Sequence, residues 1–212
     1  MHLRQKTKAV WWWLAAAATL ATIAFGFGSV GSGLLPGDRE GLILAKAMRS
    51  PWLDAVFQSL TWFGSLIVLL PLATMAGVLL WRRGHRVEAQ FLVGALIGAS
   101  MFAQLVKNLV ERPRPDLFPA LVQVVSPLSF PSEHATQSTA FAVAVLLISL
   151  RLRPNEWTRA APVLAALVLL VDFSRIYLQV HYPSDVLAGS IAAACWVMGL
   201  RVFMFGGGES HG

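Results

Sequence analysis

The chain is predicted to be an all-α integral membrane protein, with six transmembrane helices and an amphipathic segment at the outer face. Three observations carry that expectation. Of the 212 residues 56% are hydrophobic and the mean hydropathy is +0.63, far above a soluble average. The apolar residues come in long blocks, and 10–30, 60–81 and 186–205 each reach the ~20 residues needed to cross a ~30 Å hydrocarbon core. Three shorter blocks, 91–106, 135–150 and 160–171, run into or start beside polar clusters. They suffice as spans if those ends are buried in protein, where irregular polar backbone is tolerated at membrane depth. One domain over 1–212 is expected.

The first block follows "HLRQKTK" and so has the flank of a signal peptide. It is longer than an ordinary signal core, and no clear A-x-A site closes it, so it is read as a retained span. "GDREGLILAKAMRSPWLDAVFQSL", Gly37 to Leu60, mixes charges with Leu42, Ile43, Met48, Leu53, Val56 and Phe57. It reads as amphipathic helices in the outer interface, broken at Pro51, with a plain connector as the alternative. "WRRGHR" and "RLRPNEWTR" are inner turns, and "GALIG" within the third span signals close helix packing. Cys195, the single cysteine, lies in the last span as a small packing residue.

With both termini inside, ten Lys and Arg fall on the inner side: Arg4, Lys6, Lys8, Arg82, Arg83, Arg86, Arg151, Arg153, Arg159 and Arg201. Seven fall outside: Arg39, Lys46, Arg49, Lys107, Arg112, Arg114 and Arg175. The excess follows the positive-inside rule and sharpens if some outer cations serve a site. Trp11–Trp13 and Trp81 then mark the inner interface, Trp52 and Trp62 the outer one. A pI near 10.2 invites a nucleic-acid reading. The charge is spread over short loops with no basic stripe, so no nucleic-acid partner is expected.

Three polar clusters emerge on the same outer face. In "KNLVERPRP", Lys107 closes the third span, and the prolines hold Arg114 in extended chain. A lysine at a helix end ordinarily snorkels, and Arg112 and Arg114 alone read as loop charges. In "SFPSEHATQS", Pro131 suits a first helical turn, leaving the N–H groups of Ser132, Glu133 and His134 as free donors for an anion. A serine cap beside an interfacial histidine is the plainer alternative. In "SRIYLQVHYPSD", Pro183 starts a helix, with His181 just outside it and Asp185 in its first turn. Arg175 beside a membrane run is costly unless it has a task. Lys107, Arg114 and Arg175 around exposed amides suit a phosphate. Two histidines and an aspartate suit zinc by type, but clustered cations oppose a divalent ion, so no metal and no cofactor is expected.

The three stretches resemble the signature motifs of the type 2 phosphatidic acid phosphatase superfamily, K-x6-R-P, P-S-G-H and S-R-x5-H-x3-D. The spacings match at Lys107–Arg114–Pro115 and Ser174–Arg175–His181–Asp185. The resemblance implies a membrane lipid phosphatase in which His181 attacks phosphorus and Asp185 orients its imidazole. His134 would protonate the leaving oxygen and then activate water. Lys107, Arg114, Arg175, the Ser132 hydroxyl and the Glu133 amide would bind the phosphate oxygens. The implied partners are the bilayer and a phospholipid or polyprenyl phosphate substrate.

Glu133 stands where the family usually has glycine. An acidic residue there is similar to the bacterial undecaprenyl pyrophosphate phosphatases. That implies a polyprenyl pyrophosphate substrate and a bacterial inner membrane, with the site on the periplasmic or extracellular face. Phosphatidylglycerol phosphate, phosphatidic acid and a lipid phosphotransferase with the same intermediate remain alternatives. Inverted hydropathy repeats, the mark of a transporter, are missing. The related vanadium haloperoxidases are soluble, which six spans argue against. Two further expectations concern acidic neighbours: Asp172 should pair with Arg175 three residues on, and Glu133 should turn toward Arg112.

Overall fold

The computed structural model describes residues 2–29 and 34–206, so Val30, the expected end of the first span, lies outside them. The described residues form an all-helical chain: α1 (His2–Ser29), α2 (Asp38–Ala47), α3 (Pro51–Leu60), α4 (Leu66–Arg82), α5 (Arg86–Val110), α6 (Glu133–Leu152), α7 (Trp157–Tyr177) and α8 (Pro183–Phe205). Five of them, α1, α5, α6, α7 and α8, are long and apolar enough to cross a membrane.

The second span differs from its expected form. The apolar run 60–81 does not make one helix, because a 3-10 turn at Thr61–Gly64 precedes α4 and bends it 46° from α3. Ser65 starts α4 by accepting the Ile67 N–H at 3.1 Å, the ordinary work of a serine cap. Gly64 is required there by close approach, since a Cβ would lie 2.9 Å from the Cβ of His134. The break thus presses polar chain against the start of α6.

Helices pack through small residues. Ala73, Ala95, Ala99, Ala140, Ala144 and Ala193 join Leu69, Phe91, Leu92, Leu96 and Val197 in the main core, letting backbones approach where lipid offers no hydrophobic drive between helices. Gly98 of "GALIG" meets the Trp196 ring on α8, so that motif serves close packing within the chain. Trp11 and Trp12 are exposed, whereas Trp13 packs inward. Its ring stacks on Trp196 at 5.8 Å and its Nε1–H donates to the Trp196 carbonyl at 3.3 Å, tying α1 to α8. Cys195 is partly buried against the Ala16, Leu20 and Phe130 cluster, as a packing residue is.

α2 and α3 begin and break as expected, with Pro51 opening α3 behind the Ser50 cap. α2 is more than a surface helix, because Asp38 and Leu42 are buried. Its Leu42 carbonyl accepts from Gln179 Nε2 at 3.0 Å, against the turn that follows α7.

Candidate active site

Each polar cluster gets its place from local backbone chemistry. α5 stops when Glu111 takes a left-handed conformation, φ 52°, its N–H bonded to the Lys107 carbonyl at 3.0 Å. The prolines then keep the chain extended, and it pairs with the returning loop through a Pro113–Leu128 bridge and the Ser129 N–H to Arg112 carbonyl bond at 2.7 Å. α7 ends in a turn in which the N–H groups of Val180 and His181 both donate to the Arg175 carbonyl, at 3.2 and 3.3 Å. Pro183 opens α8 with no N–H to lose. Asp185 then caps the helix, accepting the Tyr182 N–H at 2.9 Å. Gly189 brings α8 against α6, since a Cβ there would stand 2.9 Å from the Ser132 carbonyl.

The clusters meet at one end of the bundle around a cavity of about 460 Å³. Lys107, Arg114, Glu133, His134, Arg175 and His181 line it, with Thr61, Gln104 and Ser126. Arg114 donates Nε–H to the Ser126 carbonyl and Nη1–H to the Val180 carbonyl, both at 2.7 Å. Its Nη1 also lies 3.1 Å from His181 Nε2. Arg175 donates to the hydroxyl of Thr61, the first residue of the 3-10 turn, which brings that turn to the cavity.

His181 Nδ1 faces Asp185 Oδ2 at 3.5 Å, an approach rather than a formed hydrogen bond. This orientation suits the tautomer with the proton on Nδ1 and a lone pair on Nε2, toward the cavity. Burial, reinforced by Arg114, Arg175 and Lys107, pushes the His181 imidazole well below its ordinary value. The imidazole is therefore neutral near pH 7.

Ser132 and Asp185 do not line the cavity but lie fully buried beside it, and the Ser132 Oγ has no hydrogen-bond partner. Pro131 precedes the Ser132 cap and is not in the first turn of α6. The Ser132 N–H is consequently spent on the Asp185 carbonyl at 3.1 Å. The Glu133 and His134 N–H groups still precede the first helical bond, donated by Thr136 to the Ser132 carbonyl at 3.0 Å.

Lys107 lines the cavity, and two expectations from the sequence are corrected. Lys107 does not snorkel: it is 1% exposed, held by Glu133 at 3.1 Å and the Leu128 carbonyl at 3.4 Å. Glu133 therefore turns to Lys107 and not to Arg112. Asp172 pairs with the Ser190 hydroxyl of α8 at 2.8 Å and not with Arg175, whose partner Thr61 comes from another segment.

The sequence reading missed Asp38, Ser184 and the place of Arg112. Arg112 is 3% exposed, with Nη2 2.7 Å from Asp38 Oδ2 and Nη1 2.5 Å from Asp185 Oδ1. The one available signal was a second arginine in the "ERPRP" run; Asp38, at the head of an amphipathic helix, looked like an ordinary cap.

Bundle and site together define a class: a polytopic membrane protein with a cationic, two-histidine cavity at one end of its helices. The chain belongs to the PAP2 superfamily, whose family model matches residues 88–207. It is 39% identical over 168 residues to the decaprenylphosphoryl-5-phosphoribose phosphatase of Mycobacterium tuberculosis (strain ATCC 25618 / H37Rv), covering 76% of this chain and 85% of that one. It is 30% identical over 151 residues to phosphatidylglycerophosphatase B of Bacillus subtilis (strain 168), covering 68% and 72%. The fold matches the crystal structure of a transmembrane PAP2 type phosphatidylglycerolphosphate phosphatase from Bacillus subtilis. The TM-score is 0.81 at 24% identity, over 96% of this chain and 99% of that one. The protein is thus an integral-membrane member of a family of lipid phosphatases.

Proposed function

We propose that the chain hydrolyses the phosphate or pyrophosphate of a polyprenyl lipid, undecaprenyl pyrophosphate foremost, through a phosphohistidine and without a metal ion. The observation that carries this is the two-sided setting of His181, with Nδ1 facing Asp185 at 3.5 Å and Nε2 facing the cavity beside Arg114 at 3.1 Å. Nε2 attacks phosphorus while the bond to the leaving oxygen breaks. His134 delivers a proton to that oxygen. Water then attacks the phosphorus, His134 takes its proton, the N–P bond breaks and free phosphate leaves.

Lys107, Arg114 and Arg175 stabilise the oxygens as charge builds, with the Glu133 and His134 amides adding donors; the Ser132 hydroxyl, expected among them, lies buried beside the cavity and does not line it. Three cations around one anion site already supply the charge a divalent ion would bring. A polyprenyl lipid is supported by the name of the mycobacterial relative, and a phospholipid head group, the second reading, by that of the Bacillus relative. The excess of Lys and Arg at the opposite end of the bundle supports a periplasmic or extracellular site in a bacterial inner membrane.

The test is phosphate release by the detergent-solubilised protein with EDTA present. The substrates are undecaprenyl pyrophosphate, phosphatidylglycerol phosphate and phosphatidic acid. Faster release from the polyprenyl substrate is expected. Loss of activity in EDTA would overturn the metal-free mechanism. Transfer only to an added lipid alcohol would make the protein a phosphotransferase.

A further inference from the structure

We propose that Asp38, Arg112 and Ser184 form a positioning network, which sets the aim and basicity of His181 by acting through Asp185, with α2 as its clamp. The inference rests on the reading of His181 as nucleophile. Arg112 uses both arms of its guanidinium. Nη1 donates to Asp185 Oδ1 at 2.5 Å and to Ser184 Oγ at 2.8 Å, and Nη2 donates to Asp38 Oδ2 at 2.7 Å. The Tyr182 ring covers the same guanidinium at 4.1 Å. Asp38 in turn receives the Ser184 N–H at 3.0 Å, the Ser184 hydroxyl at 2.8 Å and the Leu35 N–H at 3.1 Å.

Asp185 is thereby divided: Oδ1 belongs to Arg112, while Oδ2 holds the Tyr182 N–H and faces the imidazole. Asp38, Arg112 and Ser184 do not line the cavity, so they act without touching substrate. The plain alternative is that they stitch α2 to α8. A buried ionic set is a poor stitch, because desolvation cancels much of its attraction and apolar side chains of like volume hold helices as well. What ions supply and apolar residues do not is charge. Two carboxylates around one guanidinium leave a net negative charge beside His181. On the cavity side it faces Lys107, Arg114 and Arg175, with Glu133 and His134 alongside. Asp38 occupies one arm of Arg112, so Asp185 keeps enough negative charge to hold the Nδ1 proton.

That reading gives opposite signs for two substitutions. Asp38→Asn removes negative charge and moves the acid limb of kcat to lower pH. Arg112→Gln removes positive charge and moves it to higher pH. In Asp38→Asn, kcat should fall roughly 10–100-fold, the scale of a small misplacement of a reacting group, with KM within about threefold of wild type. Arg112→Lys keeps the charge if the glutamine variant does not fold. Its single ammonium lacks the two-armed fork, so kcat should again fall with KM little changed.

A second readout does not need turnover. Ring-nitrogen NMR of 15N-histidine-labelled protein in detergent, with His181 assigned by substitution, should show the Nδ1–H tautomer in wild type and a mixture in Asp38→Asn. Limbs that do not move oppositely, or an unchanged tautomer with unchanged kcat, would overturn the network. Failure of wild type to release phosphate from any lipid would instead overturn the proposed function, and the tautomer would still decide this inference.

Discussion

The Lys107 ammonium lies 3.1 Å from the Glu133 carboxylate, so an acidic side chain holds one of three cations on which an incoming phosphate would close. Glu133 is part-exposed at the cavity while Lys107 is buried, so the carboxylate is the partner with room to turn away. On the proposed function, substrate displaces it or shares the lysine with it.

Glu133→Gly keeps the amide donor and frees Lys107. The expected result is a KM for a monophosphate lipid lowered by about threefold or more, the scale of a partly exposed ion pair. The kcat/KM ratio between pyrophosphate and monophosphate lipids should shift with it. Steady-state kinetics on both substrates checks this. An unchanged ratio would leave Glu133 without influence on head-group choice.

His181→Ala should reduce turnover to background while the protein still inserts and melts cooperatively in detergent. Among the described residues, His181 is the side chain whose ring nitrogen lies beside Arg114 at the cavity. Wild-type-like phosphate release from the purified variant would end the phosphohistidine mechanism.

Thr61→Val and Asp172→Asn separate two views of how Arg175 is held. Thr61 supplies the oxygen that Arg175 contacts, whereas Asp172 holds Ser190. Leaving a buried donor unpaired costs about 1–3 kcal/mol, so Thr61→Val should lower kcat/KM by roughly tenfold. Asp172→Asn should stay within about threefold, because an amide oxygen still accepts from Ser190. The reverse ranking would show that Asp172 governs Arg175 after all.

Much of the site was readable because its residues sit at fixed short spacings, such as Arg175, His181 and Asp185. Alternating spans then put all three clusters at one end. Partner choice was not readable. Arg112 meets Asp38 across 74 positions only because Gly41 of α2 packs flush on Pro183 of α8. Spacing along one helix wrongly favoured Asp172 for Arg175, since the competing oxygen on Thr61 comes from a distant turn. The break in the second span left a weak trace in "TWFGS", where hydroxyls and a glycine interrupt an otherwise apolar run.

Stability should also depend on pH through His181. Its imidazole is depressed in the folded protein, whereas an unfolded histidine titrates near about 6.5. Its contribution is therefore complete above about pH 6.5 and is lost as pH falls below it, because the unfolded chain then binds the extra proton. The melting temperature in detergent should fall with acid below that point, and less steeply in His181→Gln. Parallel acid slopes would show that the buried ring carries no such linkage.

The guanidinium shared between α2 and α8 should also order biogenesis. Asp38 and Arg112 are synthesised before Asp185, which arrives with the last described helix. Until that helix enters the bilayer, Arg112 can meet only one of the two acidic partners described above, and the turn carrying His181 is held by Leu42 and Arg114 but not yet faced by Asp185. A ribosome-stalled chain ending before residue 183 should therefore stay open to protease at α2. Release of the full chain should make the same region resistant, so the aim of His181 is set only when α8 arrives.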